Sequence, residues 1–124
     1  MEQRIAIFPG SFDPYTIGHA SIVDRALPLF DKIVVAIGVN RNKRSFLTEE
    51  QRIRMIADLY ADEPKVEVIS YDGLTVDAAR ECGARFLLRG VRMIQDFEYE
   101  KNLAEVNRSI SGLETVLLLS LIHI

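Results

Sequence analysis

Residues 4–19 read Arg4-Ile5-Ala6-Ile7-Phe8-Pro9-Gly10-Ser11-Phe12-Asp13-Pro14-Tyr15-Thr16-Ile17-Gly18-His19. Arg4 to Phe8 is a short, mostly apolar run closed by Pro9-Gly10, the pattern of a buried strand followed by a turn. Thr16-Ile17-Gly18-His19 then opens a helix, because Ile22, Val23, Ala26, Leu27 and Phe30 fall on one face at helical spacing. Pro28 shortens or kinks that helix near its end. Strand, turn and helix in immediate succession are the first half of a βαβ unit, and the same alternation continues down the chain.

Lys32 to Val39 is β-branched and almost continuously apolar, as in a strand covered on both faces. Val66 to Tyr71 and Arg85 to Leu88 predict a third and a fourth strand, and Glu114 to Leu119 a fifth. Thr48-Glu49-Glu50-Gln51 is a capping box ahead of an apolar stripe of Ile53, Ile56, Ala57 and Tyr60. Leu74 to Cys82 is a short helix with Val76, Ala78 and Ala79 on its apolar face and Gly83 just past its end. The longest helical pattern, about Met93 to Ile110, sets Phe97, Leu103, Ala104 and Val106 among many charges. The order β-α-β-α-β-α-β-α-β implies right-handed crossovers and a doubly wound, parallel, five-stranded α/β sheet with helices on both faces.

Composition narrows the class. A chain of 124 residues, 48% apolar and 27% charged, fits one globular domain and lacks the low hydrophobicity of a disordered segment. Its 15 Lys and Arg against 18 Asp and Glu leave a net charge of −3, which argues against general nucleic-acid binding. No apolar run approaches the roughly 20 residues of a membrane-spanning helix. Met1-Glu2-Gln3-Arg4 lacks the layout of a signal peptide. The single cysteine, Cys82, leaves no internal disulfide, which favours the cytoplasm, and its small apolar surroundings suggest a buried structural thiol. Leu117 to Ile124 runs apolar to the last residue, so a shortened chain or an altered reading frame is expected unless another chain covers that strand.

In such a sheet, ligands bind beyond the carboxyl ends of the strands, where strand order reverses. Four segments at predicted strand ends carry suitable chemistry. In the first, Gly10 permits a tight turn and a close approach to the backbone, Ser11 offers a hydroxyl and an N–H, and the helix opening at Thr16 attracts anions. His19 there is placed to donate a hydrogen bond to phosphate oxygen as charge builds. A lone histidine would more often be a structural cap, but the whole string favours phosphate chemistry. Asn40-Arg41-Asn42-Lys43-Arg44-Ser45 reads as a basic loop, phosphate-binding or merely solvated. Tyr71-Asp72-Gly73-Leu74-Thr75 reads as a plain turn that could touch a substrate through its backbone. Leu88-Arg89-Gly90-Val91-Arg92 suits a polyphosphate clamp. Asp96-Phe97-Glu98-Tyr99-Glu100 is expected to be a solvated helix face, with orientation of arginines or of a ribose as the alternative. No His/Cys cluster with zinc spacing is present, so any metal would be Mg²⁺ held mainly by substrate phosphates.

Gly10-Ser11-Phe12-Asp13-Pro14 with Thr16-Ile17-Gly18-His19, Lys43, Arg89-Gly90-Val91-Arg92 and Asp96-Phe97-Glu98-Tyr99-Glu100 closely resembles bacterial phosphopantetheine adenylyltransferases, from about Arg4 to about Val116. The T-x-G-H element marks the wider nucleotidyltransferase superfamily, and the other two motifs narrow it. The resemblance implies a Rossmann-like fold, transfer of AMP from ATP to 4′-phosphopantetheine in coenzyme A synthesis, Mg²⁺ on the substrate phosphates, a cytoplasmic location and a hexamer. It implies catalytic roles for His19, Lys43 and Arg92. It assigns Ser11, Lys43, Thr75 and Arg89 to the acceptor, and Ser11, Phe12, His19, Gly90, Val91, Arg92 and Glu100 to ATP. No residue is assigned to a protein-held metal.

The resemblance ends near Val116. The family continues with a serine-rich loop on the ATP phosphates and a terminal helix, which Leu117 to Ile124 does not match. The chain is therefore expected to be a single nucleotidyltransferase domain, 1–124, shortened at its C-terminus. Two other functions stay open at this level: a related nucleotidyltransferase with a different acceptor, and a non-catalytic nucleotide- or coenzyme A-binding fragment.

Overall fold

The computed structural model of the protein describes residues 3–91 and 94–119, with the side chains of residues 94–97, 107 and 109–111 outside the description. Five strands, β1 (Ile5–Gly10), β2 (Lys32–Gly38), β3 (Val66–Tyr71), β4 (Phe86–Val91) and β5 (Glu114–Leu119), form one parallel sheet in the order β3-β2-β1-β4-β5. Four helices connect them: α1 (Ile17–Ala26), α2 (Glu49–Leu59), α3 (Thr75–Cys82) and α4 (Ile94–Ser111). The doubly wound α/β expectation holds. Among the described residues, no helix is long and apolar enough to cross a membrane.

The local signals act as the sequence indicates. Pro28 cannot continue the α-helical hydrogen bonding, and α1 ends in a 3₁₀ turn over Leu27–Leu29. At α2 the hydroxyl of Thr48 accepts from the Gln51 amide at 3.1 Å, while the Gln51 side chain accepts from the Thr48 amide at 2.9 Å. Gly83 closes α3 at φ 77°, a left-handed conformation that glycine adopts without a Cβ clash.

The sheet alternates its side chains between two cores. On one face Ala6, Phe8, Ile33, Val35, Ile37 and Leu88 pack against Ile22, Val23 and Ala26 of α1 and Ile56 of α2. On the other, Ile7, Ala36 and Leu87 meet Ala78 and Ala79 of α3, with Leu113 following α4. Strand β2 is buried along its length, which explains why its sequence shows no alternation.

Two strand boundaries differ from expectation, and both shape the site. Strand β1 does not stop at Phe8 but runs through Pro9 and Gly10, which pair with Ala36 and Ile37 of β2. Likewise β4 does not stop at Leu88, since Arg89, Gly90 and Val91 remain paired with Leu117, Leu118 and Leu119 of β5. Between β1 and β4 themselves, however, only Ala6–Phe86 and Ile7–Leu87 are paired. The two strands part after the second pair while each keeps its outer neighbour. A crevice therefore opens between Pro9–Gly10 and Arg89–Gly90, at the point where strand order reverses.

Core burial of α2 is large enough to measure. Ile56 is fully buried, whereas Ile17 on α1 is 76% exposed. Ile56→Ala should lose about 2–5 kcal/mol in urea denaturation, and Ile17→Ala should stay within about 0.5 kcal/mol of the parent.

Candidate active site

Three hollows meet around the parted strands. Pro9 and Arg89 border all three, and Ser11 and Gly10 border two. The first, about 670 Å³, continues to Asn40, Arg41, Asp72 and Thr75. A second, about 590 Å³, holds Phe12, Thr16, His19, Gly90 and Glu100. The third is mainly apolar and is lined by Leu74, Leu87, Leu103, Ala104 and Leu113. His19 and Arg89 thus face one crevice from two different elements.

His19 is held by its own helix terminus. Thr16 is the N-cap of α1, and its hydroxyl accepts from the His19 amide at 3.3 Å. In return, Nδ1 of His19 accepts from the Thr16 amide at 2.9 Å. An amide only donates, so Nδ1 carries the lone pair and the ring proton sits on Nε2. The ring stacks on Tyr15, with centroids 5.3 Å apart, and meets the edge of Phe12 at 5.0 Å. Burial among these rings pushes the imidazole pKa down to about 4. His19 is therefore a neutral donor at physiological pH, fixed in one tautomer, so the structural cap and the donor that borders the second hollow are the same residue.

The turn leading to it is less open than its glycine suggests. A Cβ on Gly10 would lie 2.9 Å from the Phe12 ring, so Gly10 makes room for that ring rather than for a ligand. Phe12 is 2% exposed and adopts φ 49°, at a cost of roughly 1–2 kcal/mol for a non-glycine residue. Its side chain belongs to the core, leaving only its backbone to the ATP role expected of it. Val91 is in the same position, with a side chain 5% exposed.

Arg89 and Glu100 are brought together. Nη2 and Nε of Arg89 donate to one Glu100 oxygen at 2.7 and 3.1 Å, and Nη1 reaches the Pro9 carbonyl at 3.4 Å. Glu100 is 6% exposed. The expectation of a solvated acidic face fails here, because α4 packs over β4 and turns Glu100 inward while Glu98 and Tyr99 stay exposed. Orientation of an arginine is the alternative that the structure bears out.

The remaining expected residues fare unevenly. Thr75, the first residue of α3, bonds Tyr71 through its hydroxyl at 2.8 Å and borders the first and third hollows. Lys43 is exposed on the β2–α2 loop and does not line the first hollow, where Arg41 stands instead, paired with Asp72 at 3.3 Å. Arg92 lies outside the described residues, as do the side chains of Asp96 and Phe97 and the tail 120–124, including His123. Two residues to which no role was assigned, Asp13 of the first motif and Arg52, organise the site. Asp13 accepts from the amides of Phe46 and Leu47, both at 2.6 Å, tying the basic loop to the first turn. Arg52 of α2, 4% exposed, donates to the Ser11 carbonyl at 2.9 Å. A charged residue inside the α2 stripe was the only sequence signal for it.

Carboxylates near the crevice are engaged: Glu100 by Arg89, Asp13 by two amides and Asp72 by Arg41. Among the described residues no group of three or more His, Cys, Asp or Glu could hold a metal ion.

A parallel sheet opening at its reversal point onto a helix N-terminus, a histidine and an arginine defines a nucleotide-handling α/β enzyme of the nucleotidyltransferase class. Consistently, residues 7–116 match the cytidylyltransferase-like family model. The lipopolysaccharide core biosynthesis protein of Thermoplasma volcanium shares the fold at a TM-score of 0.68 and 18% identity, over 99% of this chain and 100% of that one. Two curated phosphopantetheine adenylyltransferases are much nearer in sequence. The Bacteroides fragilis protein is 51% identical over 93% of this chain and 77% of its own length, and the Flavobacterium johnsoniae protein 55% over 94% and 77%. The chain belongs to the phosphopantetheine adenylyltransferase family.

The state of His19 is open to direct measurement. Its ring resonances should titrate with a midpoint near 4 and show Nε2 protonated at pH 7, whereas a midpoint near 6.5 would contradict the burial argument. Between those two values the unfolded chain binds a proton that the folded chain does not. Folding stability should therefore fall as pH drops from about 6.5 towards 4, and His19→Gln should remove that part of the slope. Separately, Gly10→Ala should destabilise the fold by about 1–3 kcal/mol through overpacking against Phe12, read by thermal unfolding.

Proposed function

We propose that this chain transfers the adenylyl group of ATP to the phosphate of 4′-phosphopantetheine, giving dephospho-coenzyme A and pyrophosphate. The observation that carries this reading is the fixed Nε2–H of His19 at the N-terminus of α1, on the same crevice as Arg89. An acceptor phosphate oxygen attacks the α-phosphorus, a new P–O bond forms, and the bond to the β-phosphate oxygen breaks as pyrophosphate leaves. Such a transfer needs little beyond alignment and stabilisation of charge on phosphoryl oxygens. His19 supplies a neutral donor that needs no proton transfer, and the amides opening α1 add their dipole.

The hollows around the crevice suit the parts of such a reaction. The hollow with His19, Phe12 and Gly90 suits the nucleotide, Ser11 and Arg89 sit between the groups to be joined, and the apolar groove along Leu74, Leu103 and Ala104 suits the acceptor's flexible arm. In this reading Arg41, which lines the first hollow, and Lys43, exposed on the same Asp13-anchored loop, bring positive charge to the acceptor side. Arg92, expected to face ATP, completes the basic set in this reading. Mg²⁺ would enter on the ATP phosphates. The same reading makes residues 1–124 one nucleotidyltransferase domain, working in the cytoplasm and assembling as a homo-oligomer, with exposed Val106 on α4 offering apolar surface for contacts away from the three hollows.

Pyrophosphate release should require ATP, Mg²⁺ and 4′-phosphopantetheine together. His19→Ala should lower kcat by about 10²–10³-fold while costing only about 1 kcal/mol of stability, from loss of the capping bond to the Thr16 amide. Equal loss of folding and turnover, or release with another acceptor but not with this one, would refute the assignment.

A further inference from the structure

We propose that Arg52, on α2 and outside the crevice, is a positioning residue that sets the affinity of the Ser11 turn for the acceptor's phosphate. This rests on the adenylyl-transfer reading above. Arg52 as a residue is 4% exposed, yet among the described residues it makes no ion pair. Its bonds go to main-chain carbonyls: Nη1 to Ser11 at 2.9 Å and Nε to Thr48 at 3.3 Å. Thr48 is the N-cap of α2, so the side chain rivets the first turn of that helix to a residue 41 positions earlier. A buried cation without a carboxylate is a costly way to hold a loop, and an apolar residue would fill the space more cheaply.

What the bond does to Ser11 gives a reason for keeping it. The Ser11–Phe12 peptide is trans, and in a planar trans peptide the C=O and the following N–H point in opposite directions. Pulling the Ser11 carbonyl inward onto Arg52 therefore turns the Phe12 N–H the opposite way, to the Ser11 side of the crevice, where Ser11 borders both the first and second hollows and the two groups to be joined would meet. It also removes the one group of that peptide, a carbonyl oxygen, that would repel phosphate. Phe12 holds a left-handed φ of 49° there, a conformation that needs an external restraint. The long-range charge of the buried guanidinium adds to the attraction without touching the ligand.

The test compares two probes on the full chain by calorimetric titration: 4′-phosphopantetheine, and pantetheine, which lacks the phosphate. The parent should bind the phosphorylated ligand more tightly. Arg52→Met should weaken 4′-phosphopantetheine at least tenfold while changing pantetheine less than twofold, collapsing the ratio of the two affinities. Arg52→Lys, which keeps the charge but cannot span both carbonyls, should recover part of that ratio. A ratio unchanged in Arg52→Met, or both ligands weakened alike, overturns the proposal and leaves the function assignment standing. A parent that does not prefer the phosphorylated ligand overturns both. If circular dichroism shows Arg52→Met unfolded, the ratio is read on Arg52→Lys, where a loss of at least threefold is expected and none refutes the proposal.

Discussion

The crevice exists because β1 and β4 stop pairing after Ile7 and Leu87 while each keeps its outer partner strand. Everything functional hangs from that parting. Had the ladder continued, Pro9 would face a neighbouring strand and Arg89 would have no gap to enter. Pro9 suits the place because it has no N–H to leave unpaired, and its carbonyl on the open side is taken by Arg89. The reversal of strand order makes this junction the natural end of a shared ladder, since the connections on either side leave in opposite directions.

Around that gap the protein places polar groups whose orientation is decided by partners far along the chain. Asp13 holds the loop after β2, Arg52 holds Ser11, and Glu100 holds Arg89. Each of these bonds involves a charged group, and the buried members, Arg52 and Glu100, would be costly if unpaired. Satisfied, they remove rotational freedom from the groups that border the crevice, so their alignment is settled before any ligand arrives. The ion pair of Arg89 also leaves part of its guanidinium towards the crevice, with the side chain 35% exposed.

His19 shows how one residue answers two demands. Burial among Phe8, Phe12 and Tyr15 removes its charge, and the Thr16 amide removes the ambiguity of its tautomer. A protonated imidazole would bind ground-state phosphate strongly. A neutral one donates a hydrogen bond whose value grows with the charge that develops on the oxygen, which is where catalysis gains. The helix terminus, the aromatic shell and the donor are thus one structural unit.

The elements of the fold were legible because their causes are local. Alternating helical and β-branched periods, the Thr48–Gln51 capping box, Pro28 and Gly83 each act within one or two turns, and each appears in the structure where the residues indicate. The Thr16–His19 string was legible for the same reason, since cap and histidine lie three residues apart. Tertiary structure alone decided where β1 parts from β4, that Glu100 turns inward to Arg89, that Gly10 serves the Phe12 ring, and that Arg52 reaches Ser11. Periodicity and capping report what a segment does with its own neighbours. Which buried charge meets which distant carbonyl depends on how separate segments pack, and no spacing along the chain encodes that.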